Sequence, residues 1–136
     1  MPEEKIETEK HCYVCKKIKK KNEYCKTYFE RNGPCRECGT KYDIERNRIL
    51  KKKAIEYLGG KCKRCDFVGH FSCYDFHHLV PKTKEMNWGQ MRKKSWNNLL
   101  RELNKCILLC GNCHKIIHCK INDDGSLNNE YIPSNF

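Results

Sequence analysis

The stretch 110-CGNCHKIIH-118 decides the fold, because it combines two kinds of metal ligand in one short segment. Its two cysteines form a Cys-x-x-Cys pair, and Cys62 and Cys65 form another pair earlier in the chain. Two matched pairs separated by a long insert are typical of a closed, structural zinc site. His114 and His118 are at positions i and i+4, so on a helix their imidazoles share one face.

A second set of four cysteines lies nearer the N-terminus, with Gly33-Pro34 as a turn before its second pair. Two Cys-x-x-Cys knuckles that face each other give a tetrahedral site, so we predict two structural zinc ions. The first zinc site comprises Cys12, Cys15, Cys35 and Cys38, and the second zinc site comprises Cys62, Cys65, Cys110 and Cys113.

Metal also compensates for a thin hydrophobic core. The 136 residues are 38% apolar and 33% charged, with a mean hydropathy of -0.89 and 12 cysteines. A small core of this kind needs a staple. A disulfide framework is the other chemistry that uses many cysteines. The first ten residues lack the apolar segment of a secretory signal, so we expect a reducing, cytoplasmic location and favour metal.

Four cysteines lie outside the two sets. Cys106 belongs to an apolar segment and is predicted to be buried in the core, and Cys25 is predicted to be a small buried residue or a spare thiol. Cys73 and Cys119 are weaker alternatives as metal ligands.

Charge favours a nucleic-acid partner over a membrane. The formal charge is +11, and two zinc ions bound to four thiolates each would lower it to about +7. A basic surface attracts phosphate backbones and releases condensed counterions. No stretch approaches the ~18 apolar residues of a membrane helix, so we expect no membrane partner. Charge alone adds little weight, because a solvated lysine-rich surface gives the same composition.

Five segments follow from composition and periodicity. Thr40-x-x-Asp43 resembles a capping box and Gly59-Gly60 a helix stop, which predicts a basic linker helix between them. The segments are a disordered lead-in at 1–10, a four-cysteine module at 11–39, the linker helix at 40–60, a histidine-bearing core at 61–119 and a tail at 120–136.

Within the core, the pattern predicts two strands and two helices. A strand is expected at 74–78, a polar loop at 81–91, a helix at 96–104 with Ser95 as its N-cap, and a buried strand at 107–109. The last helix then holds His114 and His118. His77 and His78 are neighbours at the end of the first strand, so their side chains point to opposite faces.

The run Asp75-Phe-His-His-Leu-Val-Pro81, followed by 110-CGNCHKIIH-118, resembles the HNH endonuclease family. The version with flanking Cys-x-x-Cys pairs is common in phage and bacterial members, which implies a bacterial or phage-infected cell. The resemblance covers about residues 50–119. It implies an α+β protein stapled by zinc, with a ββα-metal core behind the N-terminal four-cysteine module.

The resemblance also implies roles for individual residues. His77, His114 and His118 would bind the catalytic ion, and His78 would be the general base. Asp75 would orient an imidazole. The position of the family's middle asparagine is occupied by Lys105; Asn104 beside it is the catalytic candidate, and Asn97 and Asn98 remain alternatives.

The implied activity is hydrolysis of double-stranded DNA with one Mg²⁺, Mn²⁺ or Ni²⁺ ion, leaving 5′-phosphate and 3′-hydroxyl ends. One such site cuts one strand, so double-strand cleavage would require a homodimer. Restriction and homing are both open as biological roles. The candidate DNA contacts are Arg46, Arg48, Lys51, Lys52, Lys82, Lys84, Arg92, Lys93 and Lys94. The alternative is a non-catalytic zinc protein that binds nucleic acid, in which the histidines only hold metal.

Overall fold

The computed structural model of the chain describes residues 8–132 and has a mixed α+β architecture. The chain forms two compact units, and the boundary in the sequence falls between Asn47 and Arg48. The first unit therefore extends beyond the predicted four-cysteine module and includes residues 40–47 of the predicted linker helix. Most of the expected lead-in lies outside the described residues, but its last two residues belong to a strand.

The first unit begins with a short antiparallel hairpin that presents a cysteine pair at its tip. Strands β1 (Glu9–His11) and β2 (Ile18–Lys20) pair in antiparallel register. A short 3-10 turn and helix α1 (Lys26–Glu30) follow. Tyr24 and Phe29 form a small aromatic core with an edge-to-face contact of 5.4 Å between ring centroids, packed beside Cys12 and Cys35.

Helix α2 (Arg36–Tyr57) begins four residues earlier than expected and continues across the boundary between the units. Thr40 lies inside the helix, so the predicted capping box is wrong; the helix begins directly after Cys35. The predicted stop is confirmed. Gly59 and Gly60 have φ values of +102° and +74°, and the Gly60 amide donates to the Ile55 carbonyl, which closes the last turn.

The second unit is organised around an antiparallel hairpin and the helix that follows it. Strand β3 (Tyr74–His78) pairs with β4 (Cys106–Cys110). Helices α3 (Trp88–Met91) and α4 (Trp96–Leu103) lie between the strands in sequence, and α5 (Gly111–Ile117) follows β4 without a loop. Helix α3 falls inside the expected polar loop, where Asn87 and Gln90 form a reciprocal capping box.

The core of this unit lies on one face of the hairpin, where alternate strand residues meet the helices. Tyr74 and Leu108 pack with Ile55 of α2, and Ala54 packs with Leu99 and other residues of α3 and α4. The C-terminal half of the predicted linker helix is thus part of the core, since its apolar stripe meets α3 and α4. The opposite face of the hairpin, with Leu109, packs against Ile117 of α5.

The segment 120–132 folds back along α5, and we call it the strap. Ile121 pairs with Leu127 in an isolated bridge. The Asn128 side-chain amide donates to the carbonyls of Ile116 and Cys119 at the end of α5. The strap was expected to be a tail with little structure. Of the helices in residues 8–132, none combines the length and the apolar character needed to cross a membrane.

Candidate metal centres

Both four-cysteine sets converge in the structure, and each could bind zinc. In each set the four Sγ atoms lie within 4.8 Å of one another. The Cys65 and Cys110 sulfurs are 3.7 Å apart. A tetrahedral zinc ion with Zn–S bonds of about 2.3 Å places two sulfurs about 3.8 Å apart, so this spacing fits zinc. The prediction that these eight cysteines form two groups of four is confirmed.

The N-terminal knuckle of each set has the same backbone turn. The residue after the second cysteine, Lys16 in one set and Asp66 in the other, has a φ near +60°. Its amide donates to the carbonyl of the first cysteine, at 2.8 Å for Cys12 and 2.9 Å for Cys62. A left-handed conformation costs a residue with a Cβ about 1 kcal/mol or more. Because the same left-handed turn occurs in both knuckles, we infer that its role is to position the cysteine sulfurs.

The second pair of each set lies at the start of a helix. Cys35 and Cys38 flank the first residues of α2, and Cys110 is the N-cap of α5, with Cys113 in its first turn. The Cys35 amide donates to Cys12 Sγ at 3.3 Å, and the Cys113 amide donates to Cys110 Sγ at 3.4 Å. Helix N-termini and amide donors both stabilise thiolates, which are the form that binds zinc.

The thiol pKa values reflect these donors. Burial raises the pKa of Cys12, but amide hydrogen bonds from Cys35, Cys15 and Val14 outweigh it and lower the value to about 6. The pKa of Cys62 is lowered to about 6 in the same way. Burial and neighbouring sulfurs raise the pKa of Cys113 to about 12. One thiolate in each set forms readily, and a cation favours deprotonation of the others.

A third cluster is made of three histidines on β3 and α5. The ring nitrogens of His77, His114 and His118 lie within 4.8 Å of one another. His114 Nε2 and His118 Nε2 are 3.2 Å apart. His77 Nε2 is buried and has no hydrogen-bond partner among the described residues. The structure therefore brings together the three residues that the sequence pattern predicted to share one metal ion.

The tautomers of two of these histidines follow from their other contacts. His114 Nδ1 lies 3.2 Å from Asp75 Oδ2, and His118 Nδ1 lies 2.6 Å from the Ile132 carbonyl. The hydrogen bond to His114 lowers the pKa of Asp75, which favours the ionised carboxylate, an acceptor. The Ile132 carbonyl can only accept, so Nδ1 donates in both His114 and His118. In neutral rings the two Nε2 lone pairs then face each other, which is unfavourable unless a cation lies between them.

The geometry of the cluster fits a metal ion. Metal–nitrogen bonds of about 2.0–2.1 Å in a tetrahedron place two nitrogens about 3.3 Å apart, close to the observed Nε2–Nε2 distance. Burial and the positive charges of the other histidines lower the pKa of His77 to about 4, which keeps its ring neutral and able to donate a lone pair. The unpartnered His77 Nε2 is thus explained by a ligand role.

Asp75 lies beside an imidazole of the three-histidine cluster, as the sequence resemblance implied. Asp75 and His77 are two residues apart on β3, so both point to the side of the hairpin that α5 covers. Carboxylates and backbone carbonyls that accept from the second ring nitrogen commonly orient metal-bound histidines. Asp75 does this for His114. The Ile132 carbonyl does it for His118, and no pattern in the sequence indicates this contact.

His78 occupies the opposite face of β3 from His77. It is 8% exposed, and its Nε2 lies 2.6 Å from Oε1 of Glu102, which is 1% exposed. The same carboxylate oxygen accepts from the amides of Glu85 and Met86. Glu102 was not identified from the sequence, because a glutamate in an amphipathic helix is usually on its solvated face.

The asparagine candidates do not join this site through any contact that the described residues make. Asn104 accepts a hydrogen bond from Tyr57 at 2.6 Å, and Asn97 and Asn98 are exposed in the first turn of α4. Lys105, which occupies the middle position of the motif, instead holds the segment after β3. Its carbonyl accepts from the Leu79 amide, and its Nζ donates to the Thr83 carbonyl and to Glu85.

The basic side chains predicted to contact DNA differ in their exposure and in their contacts with other residues. Lys51 is half-buried; burial lowers its pKa, and nearby Asp75 opposes this shift. Lys52 lies 5.9 Å from the Phe71 ring centroid. Arg46, Arg48 and Arg92 each have an interaction partner. The exposed lysines among them are Lys52, Lys82, Lys84, Lys93 and Lys94, and the last four lie between β3 and α4.

Comparisons of the chain with models of known protein families, with curated proteins and with solved structures find no match.

Proposed function

We propose that this chain is a metal-dependent DNA endonuclease of the HNH kind, with the three-histidine cluster as its catalytic metal site. The observation that carries the proposal is the convergence of three imidazoles, one with a buried, unpartnered Nε2, beside His78. The order of β3, β4 and α5 is compatible with the ββα-metal arrangement that the sequence resembles. The basic surface supplies electrostatic attraction for a polyanion.

The donor set favours a transition metal. Three imidazole nitrogens suit Zn²⁺, Ni²⁺ and related ions, whereas Mg²⁺ prefers oxygen ligands in an octahedron. We therefore expect Ni²⁺ or Zn²⁺ to support activity better than Mg²⁺. A bound ion would neutralise charge on the scissile phosphate and on the departing 3′ oxygen.

His78 supplies the base. A neutral imidazole can take a proton from water near neutral pH, and His78 lies next to a metal ligand in the chain while facing the other side of the strand. The exposed Lys82 and Lys84 follow within the next six residues of the chain and can contact the phosphates on either side of the cleaved bond. With one base and one metal site, each chain would cleave one strand.

The test is cleavage of supercoiled plasmid by the wild type and by His78→Gln, each with EDTA, Mg²⁺, Mn²⁺, Ni²⁺ or Zn²⁺. Glutamine is chosen because its side-chain amide can still donate to Glu102 but cannot act as a base. His11→Gln is the matched control, since His11 is exposed on β1 and belongs to neither histidine site. We expect metal-dependent nicking by the wild type and the control, and at least a 100-fold slower rate for His78→Gln.

Resealing of the nicks by a DNA ligase would identify the 5′-phosphate and 3′-hydroxyl ends. Equal cleavage by the wild type and His78→Gln would rule out the proposed base. If no metal supports cleavage while the zinc content and DNA binding are normal, the histidines hold metal in a non-catalytic nucleic-acid-binding protein.

A further inference from the structure

A buried carboxylate lies behind His78, and neither the metal clusters nor the sequence motif accounts for it. Glu102 on α4 is 1% exposed, although ionised glutamates are rarely buried without partners. The other buried residues of α4 are Leu99 and Leu103, both apolar. A side chain at this position of an amphipathic helix is normally aliphatic, so the carboxylate requires a specific reason.

The hydrogen bonds of Glu102 identify its charge state. Oε1 accepts from His78 Nε2 at 2.6 Å and from the amides of Glu85 and Met86 at 3.0 and 3.2 Å. Oε2 accepts from Lys105 Nζ at 3.2 Å. Burial raises the pKa of Glu102, but these four donors outweigh it and lower the value to about 2. The group is therefore a carboxylate.

The carboxylate determines the tautomer of His78. Because an ionised carboxylate only accepts hydrogen bonds, His78 Nε2 must carry the hydrogen. In the neutral ring the lone pair is then on Nδ1, which becomes the atom that can take a proton from water. The 2.6 Å distance and the burial of both groups fix the ring plane as well as the tautomer.

We propose that Glu102 is a positioning residue for His78, holding the Nε2–H tautomer and stabilising the imidazolium that forms during cleavage. This role rests on the proposed nuclease function. In the reaction, water gives a proton to His78 Nδ1 while its oxygen bonds to phosphorus. The bond from phosphorus to the 3′ oxygen breaks, and that oxygen takes a proton from solvent. Glu102 stays ionised throughout.

A purely structural role would give different results. In that case Glu102 would only connect α4 to the amides of Glu85 and Met86 and thereby hold the loop after β3. Its removal would then weaken folding, metal binding or DNA binding. The positioning role predicts a change in the chemical step with these three properties preserved.

Glu102→Gln separates the two roles. The glutamine Oε1 keeps all three hydrogen bonds if the NH₂ group takes the position of Oε2. The reverse orientation is unfavourable, because the NH₂ group would then face the two backbone amide donors. The Nε2–H tautomer and the three hydrogen bonds to Oε1 are then kept, whereas the negative charge and the hydrogen bond from Lys105 are lost. We expect the single-turnover cleavage rate to fall on the order of 10-fold. Glu102→Leu also loses the acceptor, and we expect a fall on the order of 10³-fold or more.

The control and readouts make the test specific. Glu85→Gln has the same chemistry at an exposed partner of Lys105 and does not contact His78, so its rate should match the wild type. For all variants we would measure the melting temperature, the Co²⁺ affinity of the three-histidine cluster, the DNA dissociation constant and the ¹⁵N signals of the His78 ring. The wild type and Glu102→Gln should both show a protonated Nε2 and a bare Nδ1.

Support for the positioning role is a slower chemical step for Glu102→Gln with unchanged metal affinity, DNA affinity and tautomer. The role is overturned if Glu102→Gln cleaves at the wild-type rate, or if its loss of rate is matched by a loss of stability or binding. If the wild type does not cleave DNA with any of the metals, the nuclease function itself is overturned. The ¹⁵N signals would then still report whether Glu102 fixes the ring.

Discussion

The strap should strengthen metal binding at the three-histidine cluster without touching the metal. The Ile132 carbonyl accepts from His118 Nδ1 at 2.6 Å, and the Ile132 amide donates to the Ile117 carbonyl at 2.7 Å. A chain that ends at Asn128 lacks this acceptor. A chain that ends at Pro133 keeps Ile132 as a peptide carbonyl and is the matched control.

The magnitude follows from what His118 loses. A neutral hydrogen bond contributes about 0.5–1.5 kcal/mol, up to about 10-fold in affinity. A bond that orients a metal ligand contributes more, because it also fixes the ring and the tautomer; its loss typically costs about 10–100-fold. We therefore expect the Co²⁺ dissociation constant of the chain ending at Asn128 to be about 10–100-fold higher than that of the control.

The assay is a Co²⁺ titration of protein that already holds two zinc ions, followed by the visible absorption bands of cobalt bound to nitrogen. The truncation also removes the ion pair between Glu130 and Arg64, whose guanidinium lies 4.0 Å from Cys113 Sγ. Glu130→Gln tests that pair alone and should leave Co²⁺ binding nearly unchanged. A dissociation constant for the Asn128 chain within twofold of the Pro133 chain would refute the reasoning.

Three further predictions concern the zinc sites and the core. Cys110→Ser should lower the zinc content, measured by elemental analysis, from two ions to one. It should also weaken Co²⁺ binding by the three-histidine cluster, because α5 begins at the second zinc site. Cys119 lies outside both cysteine sets, so Cys119→Ser should keep two zinc ions. Leu99→Ala should lower the free energy of unfolding by about 2–5 kcal/mol, since Leu99 is fully buried. The measurement is a urea titration with zinc present. The control is Leu79→Ala at an exposed position, which should change the free energy of unfolding by less than about 0.5 kcal/mol. Gly60→Ala should cost about 1–2 kcal/mol in the same titration through its positive φ alone, because an added Cβ would meet no atom within 4 Å; an unchanged midpoint would contradict this.

Local spacing predicted well which cysteines and which histidines lie close together. Cys-x-x-Cys pairs and an i, i+4 histidine pair bring their side chains together through a few residues of backbone, so no knowledge of distant packing is needed. The alternation along β3 likewise placed His77 and His78 on opposite faces before any tertiary contact was known. The prediction that each zinc site needs two such pairs followed from the chemistry of a tetrahedral ion.

Contacts between distant residues were not predictable in this way. Glu102 pairs with His78 across 24 positions, and nothing in its helix marks it as buried. The strap is held by bonds to backbone carbonyls, which leave no periodic pattern. Helix α2 was expected to begin at Thr40, since a local capping pattern is present there; the cysteine pair at 35–38 started the helix earlier.

Helix α5 explains why a structural zinc site and a histidine cluster occur together in one short segment. Cys113 belongs to the second zinc site and His114 to the histidine cluster, and consecutive residues on a helix point about 100° apart. One helix can therefore serve two ions on different sides. A zinc ion bound by the four thiolates would contribute folding free energy on the order of 10 kcal/mol and would fix the start of α5. The histidines are then held in place without a tightly bound ion of their own. A mild chelator should therefore remove the histidine-bound ion and leave both zinc ions and the fold in place.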